Sequence, residues 1–386
     1  MGAFTFRTTP AIEVGAGQAE TAGAALSALG VRHALLVTDA TLRALGLTAG
    51  AERSCAEAGV ALTVWDDVKA DPPEADMLAA VAAAQAAGVD GVLALGGGSP
   101  MDTAKVVATL LGSGQPIGEA YGVGNARGPR LPLVLIPTTA GTGSEVTPIA
   151  IVTTGAAQKM GIVSPVLMPD MAILDASLTT GLPAAVTAAT GIDAMVHAIE
   201  AFTSRHRKNP LSDMLARQAL SLLGANIRVA CTVPGDLAAR ENMLLGSMLA
   251  GQAFANAPVA AVHALAYPLG GHFHVPHGHA NAMVLPGVLA FNRAEASAES
   301  AYAELAPIVF PALEGQDPSL MVDAFVDDLA TLGPELGLDI RLSGAGIGEG
   351  DLDLLAADAM TQTRLLVNNP REMTEAAARA IYAAAL

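Results

Sequence analysis

Through roughly the first 180 residues, short β-rich runs alternate with Ala-rich stretches of helical pattern; after Leu182-Pro183 the alternation stops. Ala34–Asp39, Val60–Trp65, Gly91–Leu95 and Leu131–Ile136 read as buried strands, and Glu74–Ala87 and Met101–Leu111 between them as helices. Such alternation builds a parallel sheet covered by helices, because parallel neighbours need a long crossover. Gly112–Pro132 reads as a long surface connection and Val163–Leu174 as further strand. Beyond residue 182 the patterns are long and helical: Ser212–Leu223, Leu237–Ala253, Asp323–Leu332, Asp351–Val367 and Glu372–Ala385. The fold class expected is therefore α/β plus all-α, with a parallel-sheet domain over residues 1–180 and an all-helical domain over 181–386.

The 386 residues suffice for two such domains, since one domain takes about 100–200. The 52% hydrophobic content raises the question of a membrane, but apolar runs such as Leu131–Ile136 stop within a few residues. A spanning helix needs about 20 in succession, so no membrane is expected. Nucleic acid is no expected partner either: a formal charge of -17 opposes phosphate binding. Cys55 and Cys231 stand far apart and form no CxxC, and Met1–Phe6 carries no charged-then-apolar signal pattern. A cytoplasmic location is the expectation.

Two small-residue segments follow strands. Gly91–Leu95 runs into Gly96-Gly97-Gly98-Ser99-Pro100-Met101-Asp102-Thr103-Ala104-Lys105. Ser99 reads as a helix N-cap, Pro100 as the first helical residue and Asp102 as the third after the cap. The glycines allow close approach of a ligand and positive φ, and the free N–H groups of a helix start suit a diphosphate. Neither GxGxxG nor a Walker A pattern is present. The second segment, Pro137-Thr138-Thr139-Ala140-Gly141-Thr142-Gly143-Ser144-Glu145, offers hydroxyls and amides to line a groove. Asp39, ending a strand, is placed to accept from a ribose.

Five of the eight histidines, His263, His272, His274, His277 and His279, crowd into seventeen positions. Upstream, Asp193 and His197 stand four apart among apolar neighbours, on one helix face turned inward. A buried, unpaired carboxylate is costly, and a metal removes that cost; imidazole with carboxylate suits Fe(II) or Zn(II). His263, in a helical run Val259–Ala266 that Pro268 is expected to end, and His277, opening a new segment, are the expected further donors.

Together these segments, with Gly191-Ile-Asp193-Ala-x-x-His197-Ala-x-Glu200, His263-Ala-Leu-Ala-Tyr267-Pro268, Pro276-His277-Gly278 and Asn369-Pro370-Arg371, resemble the iron-containing (group III) alcohol dehydrogenase family over essentially the whole chain. The resemblance implies a dinucleotide-binding α/β domain followed by a helical metal domain, the dehydroquinate synthase-like fold. It implies that Asp193, His197, His263 and His277 ligate Fe(2+), or Zn(2+), and that NAD lies against Asp39, Gly97, Gly98, Ser99, Asp102, Thr138, Thr139, Thr142, Lys159 and Leu178. The Asp39 carboxylate would repel a 2′-phosphate, so NAD is expected over NADP. Relatives form homodimers or larger assemblies, and Phe254 is implied to lie near the nicotinamide.

Many family members carry a second histidine four residues after the third ligand, where it relays the alcohol proton; here that position is Tyr267. Tyrosine is a weaker shuttle with its reference pKa near 10, which leaves Tyr267, His272, His274 or water to carry the proton. The expected activity is NAD-linked interconversion of a small-molecule alcohol and its aldehyde or ketone by hydride transfer, with Lewis-acid activation of the alcohol. A maleylacetate reductase has altered ligands, against the intact quartet here. A hydroxyacid–oxoacid transhydrogenase, which keeps its nicotinamide bound, is the other reading. Glycerol dehydrogenase and dehydroquinate synthase fit the motifs less well.

Overall fold

A computed structural model describes residues 3–155 and 158–386. By its internal contacts the chain divides into Thr8–Gly181 and, with the N-terminal stretch up to Arg7, Leu182–Leu386.

In the first unit the strands are β1 (Ala11–Val14), β2 (His33–Val37), β3 (Ala61–Trp65), β4 (Gly91–Gly96), β5 (Gly122–Val123), β6 (Leu133–Pro137), β7 (Ile149–Thr154), β8 (Gln158–Val163) and β9 (Met171–Leu174). The helices are α1 (Ala22–Ala28), α2 (Ala40–Ala44), α3 (Ala49–Glu57), α4 (Glu74–Ala87), α5 (Gly98–Ser113) and α6 (Ile117–Ala120). Six strands form one sheet in the order β1-β9-β6-β4-β2-β3, every neighbouring pair parallel. Its central strands are covered on both faces, which is why they read as unbroken apolar runs. Leu36, Leu95 and Ile136 pack under α1 and α3 through Leu26 and Cys55, while Leu35, Ala94 and Leu135 pack under α5 through Met101 and Val107. From β2 the chain adds β3 on one side, then crosses to add β4 on the other. Such a reversal opens a crevice at the carboxyl ends of the two diverging strands. Those ends carry Asp39 and Gly96–Ser99.

The expected strand Val163–Leu174 is not continuous: β8 ends at Val163, a 3-10 turn over Pro165–Leu167 follows, and β9 begins at Met171. Gly112–Pro132 is more than a surface connection, since Ile117, Ala120 and Ala126 are buried in it. β1 and the antiparallel β7–β8 pair lie outside the expected strands, although β7 opens with the apolar run Ile149–Val152.

The second unit is helical among its described residues: α7 (Ala184–Thr203), α8 (Pro210–Thr232), α9 (Leu237–Asn256), α10 (Ala261–Phe273), α11 (His277–Asn292), α12 (Ala296–Val309), α13 (Pro318–Glu335), α14 (Leu352–Ala359), α15 (Thr363–Leu366) and α16 (Glu375–Ala384). From Gly191 to Thr203 every residue of α7 is buried, the mark of a core helix enclosed by neighbours, here α8, α9 and α11. Close packing depends on small residues: a β-carbon on Gly191 would stand 2.8 Å from Ile227 and Met243.

Three local expectations are corrected. Pro268 does not end its helix; α10 runs through it to Phe273. Asp351–Val367 is not one helix, because the chain turns between α14 and α15. The last helix starts at Glu375, where the Thr374 hydroxyl accepts from Ala377 N as its cap. No helix among the described residues is long and apolar enough to cross a membrane. The architecture, a parallel sheet unit followed by a helical unit, is the class that the alternation predicted.

Candidate metal centre and glycine-rich turn

In the helical unit, α7 carries Asp193 and His197 one turn apart, α10 carries His263 and α11 opens with His277. One candidate ligand atom from each lies within 4.8 Å of all the others. The Asp193 Oδ1 atom is 3.8 Å from His263 Nε2 and 3.7 Å from His277 Nε2. Ligands about 2.1 Å from a tetrahedral metal stand roughly 3.4 Å apart, so the donor set fits Fe(II) or Zn(II). Asp193, His197 and His263 are almost fully buried, whereas the His277 side chain is 38% exposed, so the centre opens on that side. Burial works against ionisation of Asp193, but His197, His277, His263 and the Asn281 amide outweigh it and hold the carboxyl below its ordinary range.

Two further residues complete the surroundings, Glu200 at the end of a quoted motif and Asn281 outside any motif. Glu200 lies on the same face of α7, one turn beyond His197. Its Oε2 is 2.6 Å from His263 Nδ1, and its Oε1 accepts from Val262 N at 2.7 Å. A proton held between Nδ1 and this carboxylate leaves the lone pair of Nε2 facing the other ligands. Asn281, one turn after His277 on α11 and fully buried, donates from Nδ2 to Asp193 Oδ1 at 2.6 Å. Its Oδ1 is buried with no hydrogen-bond partner among the described residues, an acceptor that a hydrated cation would satisfy. The i, i+3 and i, i+4 spacings were the available signals for both.

Around this set, Phe254 stacks on His197 with ring centroids 4.3 Å apart, and Tyr267 lies 5.9 Å from the His277 ring. Of the rest of the histidine cluster, His272 and His279 bond to other groups. His272 Nε2 meets the Asp358 carboxylate at 2.9 Å, His279 Nε2 meets the Asp339 carbonyl at 2.7 Å, and His274 closes α10 with φ 56.

In the sheet unit the glycine-rich turn differs in detail from its sequence reading. The N-cap of α5 is Gly97, not Ser99, so Gly98 and Ser99 are the first helical residues and Asp102 lies in the second turn. None of Gly96, Gly97 and Gly98 takes positive φ. Glycine is required there by space: a β-carbon on Gly96 would meet Pro100 Cγ at 2.6 Å, and one on Gly98 would meet Thr142 Cγ2 at 2.9 Å. Gly97 faces Thr139 at ordinary contact distance. Gly97, Gly98, Ser99, Thr139 and Thr142 are all partly open amid buried surroundings, beside the free N–H groups of a helix start. Thr138 itself is buried and donates its N–H to Gly96 O.

Asp39 sits at the end of β2, where Oδ1 caps α2 through Leu42 N at 3.0 Å, and Leu42 in turn reaches Gly96. The Asp102 carboxylate faces protein on both oxygens, accepting from Ser144 Oγ at 2.7 Å and from Ile151 N at 2.8 Å. Lys159 pairs with Asp71 at 2.6 Å and donates to Thr153 Oγ1. Leu178 belongs to the core beside Leu36 and Leu95.

The sequence profile of iron-containing alcohol dehydrogenases matches residues 9–176, and that of the Fe-containing alcohol dehydrogenase family, C-terminal, matches residues 187–386. The chain is 39% identical over 382 residues to the probable alcohol dehydrogenase EutG of Salmonella typhimurium, covering 99% of this chain and 94% of that protein. It superposes on the crystal structure of a 1,3-propanediol oxidoreductase with a TM-score of 0.96 at 32% identity, all of both chains covered. It also superposes on sulfoacetaldehyde reductase from Bifidobacterium kashiwanohense in complex with NAD+, with a TM-score of 0.87 at 29% identity, covering 100% of this chain and 99% of that one.

Proposed function

The chain belongs to the iron-containing alcohol dehydrogenase family, oxidoreductases acting on CH–OH groups, and from that premise we propose that it interconverts a small-molecule alcohol and its carbonyl compound using a divalent metal and NAD. The observation that carries the reading is the convergence of Asp193, His197, His263 and His277 within 4.8 Å. We assign the metal as Fe(2+), with Zn(2+) accepted by the same donors. When bound, it supplies Lewis-acid stabilisation of an alkoxide, and the nicotinamide supplies the hydride acceptor.

The chain's own residues have the following roles. Glu200 fixes the His263 ring so that Nε2 faces the ligand set. Asn281 holds the Asp193 carboxylate by donating to Oδ1. Phe254 covers the His197 ring and keeps water from it. Tyr267, beside the His277 ring, is the residue we assign to proton exchange at its phenolic oxygen, since His272 is held by Asp358 and His274 is an exposed residue closing α10. In the sheet unit, the Gly98 and Ser99 amides receive the diphosphate, and Thr139 and Thr142 line it. Asp39 accepts from the ribose hydroxyls and repels a 2′-phosphate, which favours NAD; a relative solved with NAD+ supports the same choice. Asp102, Thr138, Lys159 and Leu178 contribute behind this surface, through the loop, hairpin and core that they hold. A cytoplasmic homodimer is the form we propose, by analogy with the family.

Metal analysis of the purified chain is expected to find about one Fe or Zn per chain, lost together with activity in His263→Ala/His277→Ala. A panel of alcohols and aldehydes with NAD(H) and NADP(H) then ranks substrates and cofactor. Absence of metal, or full activity in the double variant, refutes the proposal.

A further inference from the structure

The sheet unit buries a cation that this chemistry does not use. Lys105 lies in α5, two turns beyond the glycine cap, with no exposed surface. Its ammonium donates to Ser144 Oγ at 2.8 Å, Thr147 Oγ1 at 3.1 Å and Ile149 O at 2.8 Å, which uses all three of its protons. Every acceptor belongs to the segment that follows β6. One turn nearer the cap, Asp102 accepts from Ser144 Oγ and Ile151 N. Ser144 is thus held from two successive turns of α5 at once. At its other end the same segment is tied by Thr138 N, which donates to Gly96 O at 3.0 Å. Between those two anchors lie Thr139 and Thr142, against Gly97 and Gly98.

We propose that Lys105, acting with Asp102 through Ser144, is a positioning residue for nucleotide binding: a buried strut that sets the Thr139–Thr142 segment against the glycine turn and so fixes the walls of the diphosphate site. This inference rests on the reading of that turn as the diphosphate site. Lys105 touches no ligand in this scheme. It acts on affinity because an apolar side chain in its place leaves three acceptors, two of them on buried residues, without a donor and removes the cation beside Asp102. The segment then relaxes toward water, and the alignment of the threonines with the turn is lost.

The test uses the full, metal-loaded chain with ADP-ribose as the probe, titrated by calorimetry, beside a metal titration against a competing chelator. Lys105→Met is expected to weaken ADP-ribose binding about tenfold or more, with metal affinity within about twofold of wild type. A role in general stability alone does not produce that split. Ser144→Ala, which keeps the lysine but removes the shared hydroxyl, is expected to shift ADP-ribose binding the same way, and it decides the matter if Lys105→Met does not fold. Unchanged ADP-ribose affinity in the folded variant, or a parallel loss of metal affinity, overturns the strut while the diphosphate reading stands. Failure of the wild-type chain to bind ADP-ribose overturns the reading of the turn, and the strut with it.

Discussion

Glu145 is the residue at which burial and charge conflict most openly. It is 1% exposed, its Oε1 has no hydrogen-bond partner among the described residues, and burial pushes its carboxyl up from 4.5 to about 7 despite the nearby Lys105. The folded chain therefore binds this proton more tightly than the unfolded chain does. As pH rises from about 4.5 towards about 7, stability falls, by up to roughly 3 kcal/mol from this one group. Glu145→Gln keeps the shape and removes the titration. Urea unfolding of both proteins at several pH values is expected to show the difference growing across that window; a constant difference sinks the account. Little of this was legible in the sequence. Glu145 stood in a recognisable motif, yet nothing in Gly143-Ser144-Glu145 says that the carboxylate is enclosed rather than solvated. Asp193 was better marked, because its helical neighbours Ile192, Met195 and Val196 are apolar and its partner lies at i+4.

At the scale of elements, the candidate metal centre is set by how α7, α10 and α11 approach one another. The contact between α7 and α11 depends on Gly278, the residue after His277. A β-carbon there would stand 2.4 Å from Ala189 O and 3.3 Å from Asp193 Cβ. Since the first obstacle is backbone, the helices must separate to admit it. Gly278→Ala is expected to cost about 1–3 kcal/mol of stability and to weaken metal binding about tenfold or more, because His277 and Asp193 are carried apart. Competition titration with a chelator reads the second effect, and wild-type affinity in the variant contradicts it. Helix positions were readable from periodicity, but boundaries were not. Pro268 reads as a stop signal, because it lacks an N–H and crowds the preceding turn. Tertiary packing overrides that signal, for Pro268 and Leu269 are both buried in α10. Likewise the capping pattern at Ser99 was read two residues late: Gly97 already takes the extended conformation that a cap needs.

For the whole molecule, the candidate ligands of the metal all belong to the helical unit, and those of the diphosphate to the sheet unit. Metal removal should therefore act on one unit. Chelation leaves Asp193 and three imidazoles facing one another without the cation that reconciles them, so the elements holding them open more readily. Hydrogen exchange of the chelated protein is expected to lose protection in α7, α10 and α11 while β2, β4 and β6 keep theirs. Equal loss throughout, or none in α7, contradicts this assignment.

Local patterns in the chain were enough for the class of fold and for naming the candidate chemistry-bearing residues. Alternating strand and helix patterns need a parallel sheet, and long apolar helices need each other, because backbone polar groups must be paired and apolar faces covered. Residues one helical turn apart share a face whatever the fold, so Asp193 with His197 was readable at once. Convergence across distant segments was not. His263 and His277 were the expected donors, but that they come within reach of that pair, and that Glu200 orients one of them, depends on the crossing of three helices. That a buried lysine props the second small-residue segment depends on the register of α5 against β7. Contacts of that kind are fixed by side-chain packing over long sequence separations, and no local pattern encodes them.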